Sequence, residues 1–265
     1  MPIKGIDTEK CTNCQQCLQD CPSFNFRLSD DNQVVFFQVG CVQCGHCIAI
    51  CPEDAILYEG MKDEPLSFED VDPTSLISYD TFLKFIRGKR SIRQYKKKKI
   101  PNEIIDKIMY VMRYAPTGGN IRGLRCNIIS DDEQIKALSE AVLDTLIGNP
   151  AIPENYSLML KRKRKQGLDP IFYGASHVMI FHSPNPMDLV NSVIAITHGL
   201  LSAQTLGIGS CWLYLAQRAL IDNKDLRKNV AKINGRVHGV FVLGYPAVKY
   251  ARGPPRPKIR TKKLN

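Results

Sequence analysis

Cysteine is the residue type in this chain whose spacing points most directly to a chemistry. Eight of the ten cysteines lie within the first 51 of 265 residues, in two runs that each read C-x2-C-x2-C-x3-C-P. The second run repeats the first at a constant offset of 30 residues. Three closely spaced thiolates can wrap one corner of a cubane, and in two-run chains the fourth cysteine ligates the other cluster. The spacing therefore predicts two [4Fe–4S] clusters.

The same rule assigns the ligands of each cluster. The first cluster is expected to take Cys11, Cys14, Cys17 and Cys51, and the second Cys41, Cys44, Cys47 and Cys21. Zinc also favours C-x2-C pairs, but a zinc ribbon separates two pairs by a long segment. A duplicated run of four cysteines in eleven residues favours iron–sulfur clusters over zinc.

Charge divides the chain into two parts. Residues 1–60 carry three basic and eight acidic side chains, whereas the remainder carries 33 basic and 18 acidic. This asymmetry predicts two domains with different partners. Residues 61–78, rich in Pro, Ser and acidic residues, are interpreted as a linker, so the expected domains are 1–60 and 79–265. Without an apolar leader or membrane-length segment, a cytoplasmic protein is expected.

The larger part alternates helical and extended patterns. Helices are expected at 79–87, from Pro101 onward, at 131–146 and at 192–206, the last being apolar nearly all round. Short apolar strands are expected at 126–129, 177–181, 210–213 and 237–243. The pattern indicates an α+β class with a mixed sheet.

Four segments of this larger part suit a phosphorylated ring compound. Basic residues flank Ser91 directly after the first helix, and guanidinium groups donate paired hydrogen bonds to phosphate oxygens. Residues 115–120 form a turn rich in small residues and backbone donors, and 206–214 carry glycines where a ring could approach the backbone. Residues 244–256 form a tail punctuated by glycine and proline. Taken alone, such a basic run is more often a solvated surface turn.

Two family resemblances follow from these motifs. Residues 1–60 resemble a bacterial-type two-cluster ferredoxin domain. The four ordered segments of residues 79–260 resemble the FMN-dependent nitroreductase family, which implies a three-layer α+β sandwich and a homodimer with FMN at the subunit interface. For FMN contacts the resemblance implies Lys89, Arg90, Ser91, Arg93, Pro116, Thr117, Gly118, Asn120, Leu213, Tyr214 and Arg256.

The remaining candidates are weaker. Cys126 and Cys211 lie in apolar strands and are interpreted as buried, inert thiols. The histidines show no ligand or triad spacing. The basic runs 96–99 and 161–165 lack aromatic interleaving, so a solvated face or lid is favoured over nucleic-acid binding, and docking of an acidic electron donor is a third alternative.

The combined expectation is an oxidoreductase that passes electrons from two clusters to FMN. A nitroaromatic, a quinone or a similar small molecule would be the acceptor, and a ferredoxin or another protein the donor. No side-chain nucleophile or general acid is assigned. The alternatives are an electron-transfer or redox-sensing module with no dedicated substrate, and a flavin reduced by NAD(P)H.

Overall fold

The chain divides into two compact units. The structure is a computed structural model that describes residues 3–60, 63, 65–68 and 71–264. The first unit comprises Met1–Ile77 together with Gly118–Ile121, and the second comprises Ser78–Thr117 and Arg122–Asn265. Most of the segment expected to be a linker is thus grouped with the first unit, although residues 61, 62, 64, 69 and 70 lie outside the described residues.

The first unit is built from two short halves that follow the cysteine duplication. Its elements are β1 (Ile3–Ile6), α1 (Gln16–Asp20), β2 (Phe26–Leu28), β3 (Val34–Phe36), α2 (His46–Ile50) and β4 (Ile56–Tyr58). Strand β1 pairs with β4 and β2 with β3, both antiparallel. A small core containing Ile3, Phe26, Val34 and Ile56 packs with the cysteines. Strand β3 ends at Phe36, although the N–H of Phe37 still donates to the carbonyl of Asn25 at 2.7 Å.

Among its described residues the second unit contains six α-helices, one π-helix (Leu226–Val230) and four strands. The α-helices and strands are α3 (Tyr79–Gly88), α4 (Asn102–Met112), β5 (Arg125–Ile129), α5 (Asp132–Ile147), α6 (Glu154–Lys165), β6 (His177–Ser183), α7 (Asp188–Thr205), β7 (Gly209–Trp212), α8 (Tyr214–Asp222) and β8 (Arg236–Gly244). The side chain of Ser78 accepts the backbone N–H of Thr81 at the start of α3, and that of Asp131 accepts the N–H of Gln134 at the start of α5. These caps explain where both helices begin.

The sheet of the second unit has the order β5-β6-β8-β7, and its three strand pairings are antiparallel. The expectation of a mixed sheet was wrong for these strands. Strands β6 and β7, which α7 connects, both pair antiparallel with β8, so β8 separates two strands that would otherwise be parallel neighbours. Among the described residues, the parallel contact is an isolated bridge between Ser91 and Ser210.

Alternating side chains of the sheet pack into two separate hydrophobic cores. In β6, Val178 and Ile180 pack with residues of α5 and α8, whereas Met179 and Phe181 pack with residues of α4 and α7. Because successive strand residues point to opposite faces, each face buries its own layer of helices. The second unit is therefore a three-layer α+β sandwich, as expected.

The basic run at 161–165 lies on α6, a helix that was not predicted from the sequence. Leu160 is fully buried, and Arg164 pairs with Glu140 and Asp144 of α5. The run is thus the largely exposed end of a packed helix, which fits a solvated face.

Among the helices that the structure describes, none combines the length and the apolar character needed to cross a lipid bilayer.

Candidate functional site

Two cavities of the first unit each gather four thiols. The first cavity is lined by Cys11, Cys14, Cys17 and Cys51. The second cavity is lined by Cys21, Cys41, Cys44 and Cys47. The fourth cysteine of each run therefore lies with the first three of the other run, and these two groups coincide with the ligand sets expected from the spacing. The cysteines are free thiols in the structure.

The loops that carry the thiols hold an uncommon backbone. Asn13 and Gln15 of the first loop have φ values of 57° and 60°, and Gln43 and Gly45 of the second have 54° and 81°. Left-handed conformations are costly for non-glycine residues and persist where the surroundings require them. The two loops therefore share one backbone geometry, and the short helices α1 and α2 follow directly after them.

Burial opposes ionisation of the thiols. It raises the pKa of Cys47 to about 12 and raises the pKa of Cys17, and neighbouring cysteines add to both shifts. Backbone N–H groups of Asn25 and Ala55 nevertheless donate to the sulfurs of Cys21 and Cys51, each at 3.3 Å. A bound metal centre offsets such a shift because a coordinating thiol is deprotonated outright. Four thiols, apolar walls and N–H donors to sulfur fit a [4Fe–4S] cluster in each cavity.

The basic segment of the second unit is attached to the sheet edge. Ser91 bridges to Ser210 of β7, and the N–H of Ile92 donates to the carbonyl of Ser210 at 3.0 Å. Lys89 is half-buried, and its Nζ donates to the carbonyl of Arg90 at 2.9 Å. Desolvation lowers the pKa of Lys89, although Cys211 opposes that shift.

One feature of this segment fits a bound anion. Lys89 forms no salt bridge with a carboxylate in the described part of the chain. A half-buried cation is costly unless an anion pairs with it, and a phosphate group would do so. The hydroxyl of Ser210 is also buried without a hydrogen-bond partner among the described residues, but Ser210 pairs with Leu243 and so points to the other face of β7 from Cys211, beside which the basic residues lie.

The C-terminal tail passes close to this segment. A Cβ on Gly253 would lie 2.7 Å from the carbonyl oxygen of Arg87 and 3.5 Å from a guanidinium nitrogen of Arg90. Only glycine therefore fits at this approach. Arg256, expected to return to the phosphate, follows three residues later with an exposed side chain.

The turn expected to lie against the flavin ring is divided between the two units. Pro116 is exposed, and the hydroxyl of Thr117 accepts the N–H of Arg122 at 3.1 Å. Gly118–Asn120 forms a 3₁₀ turn that is grouped with the first unit. There the side-chain amide of Asn120 donates to the carbonyls of Val42 and Gln43, at 2.9 and 2.7 Å. This contact with the second cysteine loop was not anticipated, because the spacing carries no signal for it.

The other expected ring contacts lie at the start of α8. Leu213 is buried and its N–H donates to the carbonyl of Val240 at 2.8 Å, whereas Tyr214 is 62% exposed.

Neither cysteine outside the clusters is prepared for nucleophilic chemistry. Burial raises the pKa of Cys126 to about 12 and raises that of Cys211, while Arg93, Ser91 and Lys89 act in the opposite direction at Cys211. Cys211 is fully buried and Cys126 partly buried. Both environments fit the expectation of unreactive thiols.

Comparison with known proteins matches two separate parts of the chain to two families. The model of the nitroreductase family matches residues 86–245, and that of the 4Fe-4S dicluster domain matches residues 3–66. A ferredoxin of Methanothermococcus thermolithotrophicus is 38% identical over 53 residues, 19% of this chain and 88% of that protein.

Two further relatives match the larger part. An Archaeoglobus fulgidus protein, provisionally named NADH dehydrogenase/NAD(P)H nitroreductase, is 29% identical over 175 residues, covering 62% of this chain and 84% of its own length. A crystal structure of a Bacteroides fragilis nitroreductase with bound FMN superposes with a TM-score of 0.58 at 22% identity, covering 69% of this chain and 97% of that one. At this identity the likeness establishes the fold.

Proposed function

The chain belongs to the nitroreductase family, and from this premise we propose that its larger domain binds FMN and reduces a small organic acceptor with electrons delivered by two [4Fe–4S] clusters. The observation that carries the proposal is the pair of four-cysteine cavities on the same chain as the nitroreductase domain. A pair of one-electron carriers on the same chain as a flavin fold supports an internal electron supply.

The basic segment is the proposed FMN phosphate site. Lys89, Arg90 and Arg93 would contribute positive charge, and Ser91 a hydroxyl donor. The half-buried ammonium of Lys89, which bonds to a backbone carbonyl but to no carboxylate of the described residues, supports this role. Arg256 remains a proposed phosphate contact. The proposed ring contacts remain Pro116, Thr117, Gly118, Asn120, Leu213 and Tyr214.

The clusters and FMN would have different roles in electron transfer. Clusters carry single electrons, whereas most organic acceptors require an electron pair, and bound FMN would convert between the two. The protein residues bind and orient the cofactor. No buried acid or nucleophile is assigned to the acceptor, so its protons would come from water.

An anaerobic assay tests the proposal. The purified protein should contain iron, sulfide and FMN, and chemically reduced ferredoxin should support reduction of a nitroaromatic or a quinone. A matched protein whose clusters have been removed with a chelator should lose this ferredoxin-dependent activity. Equal activity without clusters would contradict the proposed electron path, and a purified protein with no affinity for FMN would contradict the flavin site.

A second electron donor is suggested by the name of the Archaeoglobus relative, which refers to NADH. Under this hypothesis NAD(P)H reduces the flavin directly and the clusters carry electrons away. Anaerobic mixing of the protein with NADH or NADPH distinguishes the two directions. Rapid bleaching of the flavin followed by cluster reduction would support nicotinamide as the donor, and an unchanged spectrum would exclude it.

A homodimer is the proposed assembly, as the family resemblance implies. On α7, Leu189, Val190 and Val193 are exposed in the single chain although they are aliphatic. Exposed apolar side chains that share a helix face are typical of a surface that a partner covers. Here that partner would be a second copy of the chain.

A further inference from the structure

The 30-residue duplication allows the two cluster cavities to be compared position by position. Residues 23 and 25 follow Cys21 of the second cavity as residues 53 and 55 follow Cys51 of the first. The backbone N–H of residue 25 or 55 donates to the preceding cysteine sulfur at 3.3 Å in both repeats. Differences between the repeats at these positions therefore act on equivalent sulfurs.

The first difference is Asn25, whose counterpart is Ala55. Asn25 is 1% exposed, and its amide oxygen accepts the N–H of Val39 at 2.8 Å. This contact orients the amide nitrogen, which lies 4.0 Å from the sulfur of Cys21 and donates to the carbonyl of Ser23 at 3.1 Å. The sulfur of Cys21 thus has a side-chain donor that alanine cannot provide to Cys51.

The second difference is one of charge. Glu53 lines the first cavity, whereas its counterpart Ser23 lines the second. Reduction adds negative charge to a cluster, so a carboxylate nearby disfavours it and an N–H donor to sulfur favours it. Both differences make the second cluster easier to reduce than the first.

Burial of the cysteines favours the opposite order of reduction potentials, but it differs between the repeats only in degree. Cys47 is buried and its counterpart Cys17 is half-buried. The amide of Asn25 and the carboxylate of Glu53, by contrast, are each present in one repeat and replaced in the other. We propose that the cluster held by Cys21, Cys41, Cys44 and Cys47 has the higher reduction potential, and that Asn25 and Glu53 set this order.

The order gives electrons a direction within the first unit. A reduced first cluster passes one electron to the oxidised second cluster, so that the first returns to the 2+ state and the second becomes 1+. The electron originates from an external one-electron donor such as reduced ferredoxin. Two successive electrons and one proton from water would convert FMN to FMNH⁻, and only this last step rests on the proposed function.

Chain connectivity suggests where electrons leave. The amide of Asn120 holds the carbonyls of Val42 and Gln43, which lie between Cys41 and Cys44 of the second cluster. Asn120 is three residues from Thr117, a proposed flavin contact. The higher-potential cluster is therefore the one whose loop is bonded to the turn assigned to the flavin.

An anaerobic redox titration of the full chain, followed by low-temperature EPR, tests the proposal. The wild type should show two midpoint potentials that differ by at least about 59 mV. For one-electron couples this corresponds to a tenfold difference in the ratio of reduced to oxidised cluster. Asn25→Ala, which copies the first repeat, should lower only the higher midpoint. Glu53→Gln should raise only the lower midpoint, and Asp54→Asn, which removes a neighbouring charge outside the cavity lining, should raise it less.

The variants Asn25→Ala and Glu53→Gln test the proposal independently. Iron content is measured in every variant, and if Asn25→Ala loses a cluster then Glu53→Gln, an exposed position, decides alone. Coincident midpoints in the wild type, or a variant that shifts the other midpoint, would overturn the proposal. Because only cluster signals are measured, a protein that fails to reduce any organic acceptor could still confirm this order, and the reverse also holds.

Discussion

The ammonium of Lys89 donates to the carbonyl of Arg90, its own chain neighbour, at 2.9 Å. A half-buried cation would ordinarily be paired with a carboxylate, and the described residues place none beside it. Desolvation accordingly lowers its pKa. The segment therefore carries an electrostatic cost in the free protein that a bound phosphate would offset.

Lys89→Met should separate cofactor binding from stability. Loss of a charge-assisted hydrogen bond should weaken FMN binding by about 10- to 150-fold. The FMN-free protein should be as stable as the wild type, or more stable, because a desolvated charge has been removed. Flavin fluorescence titration and thermal unfolding without FMN measure the two effects. Lys84→Met on the exposed face of α3 is the matched control, and an equal loss of affinity there would contradict the assignment.

Paired serine substitutions test which cysteines share a cluster. Cys14→Ser with Cys51→Ser should remove one cluster and leave about half of the iron and sulfide, because both residues line the first cavity. Cys44→Ser with Cys51→Ser should remove both clusters, because these residues line different cavities. Iron analysis of anaerobically purified protein gives the answer. The opposite pattern would mean that each run ligates its own cluster.

Three buried histidines should make the stability of the second unit depend on pH. Burial lowers the pKa of His177, His182 and His238 below 6.5. The unfolded chain then binds more protons than the folded chain between 6.5 and the folded pKa values, so the free energy of unfolding falls as the pH falls through this window. Thermal unfolding at pH 7.5 and 5.5 measures the loss.

Substitution of one histidine separates this effect from acid denaturation in general. His238→Gln should show a smaller loss between the two pH values, because Gln can still bond to Ser183 but does not titrate. His198→Gln is the control. If His238→Gln and the wild type lose the same stability, His238 does not contribute to the pH dependence.

A charge on the exposed face of α7 tests the dimer. Val193 is 45% exposed in the single chain, and Val193→Glu should convert a dimer to a monomer in light scattering, since a buried interface does not accept an unpaired charge. Met159→Glu on α6 introduces the same charge at a comparably exposed position and should leave the mass unchanged. A wild-type protein that is monomeric at all concentrations would contradict the proposal.

The cysteine spacing predicted more of the molecule than any other signal, because the four-thiol geometry of a cluster constrains the chain locally. Strong periodicity also located α5, whose predicted start at Asp131 is the residue that caps it. Helix α6 was missed because its last five residues are a basic run without apolar periodicity, and only Leu160 of the helix is buried. The contact of Asn120 with the second cysteine loop was also missed, because it joins residues 78 positions apart and neither position has a distinctive pattern.

Electron transfer from the clusters to the flavin is tested most directly by anaerobic stopped-flow absorbance spectroscopy. The FMN-loaded protein is mixed with excess reduced ferredoxin, and flavin absorbance is followed in the wild type and in Cys44→Ser with Cys51→Ser. We predict uptake of four electrons by each wild-type chain, one for each cluster and two for FMN, and loss of rapid flavin reduction in the double variant. Equal rates of flavin reduction in the two proteins would contradict the account.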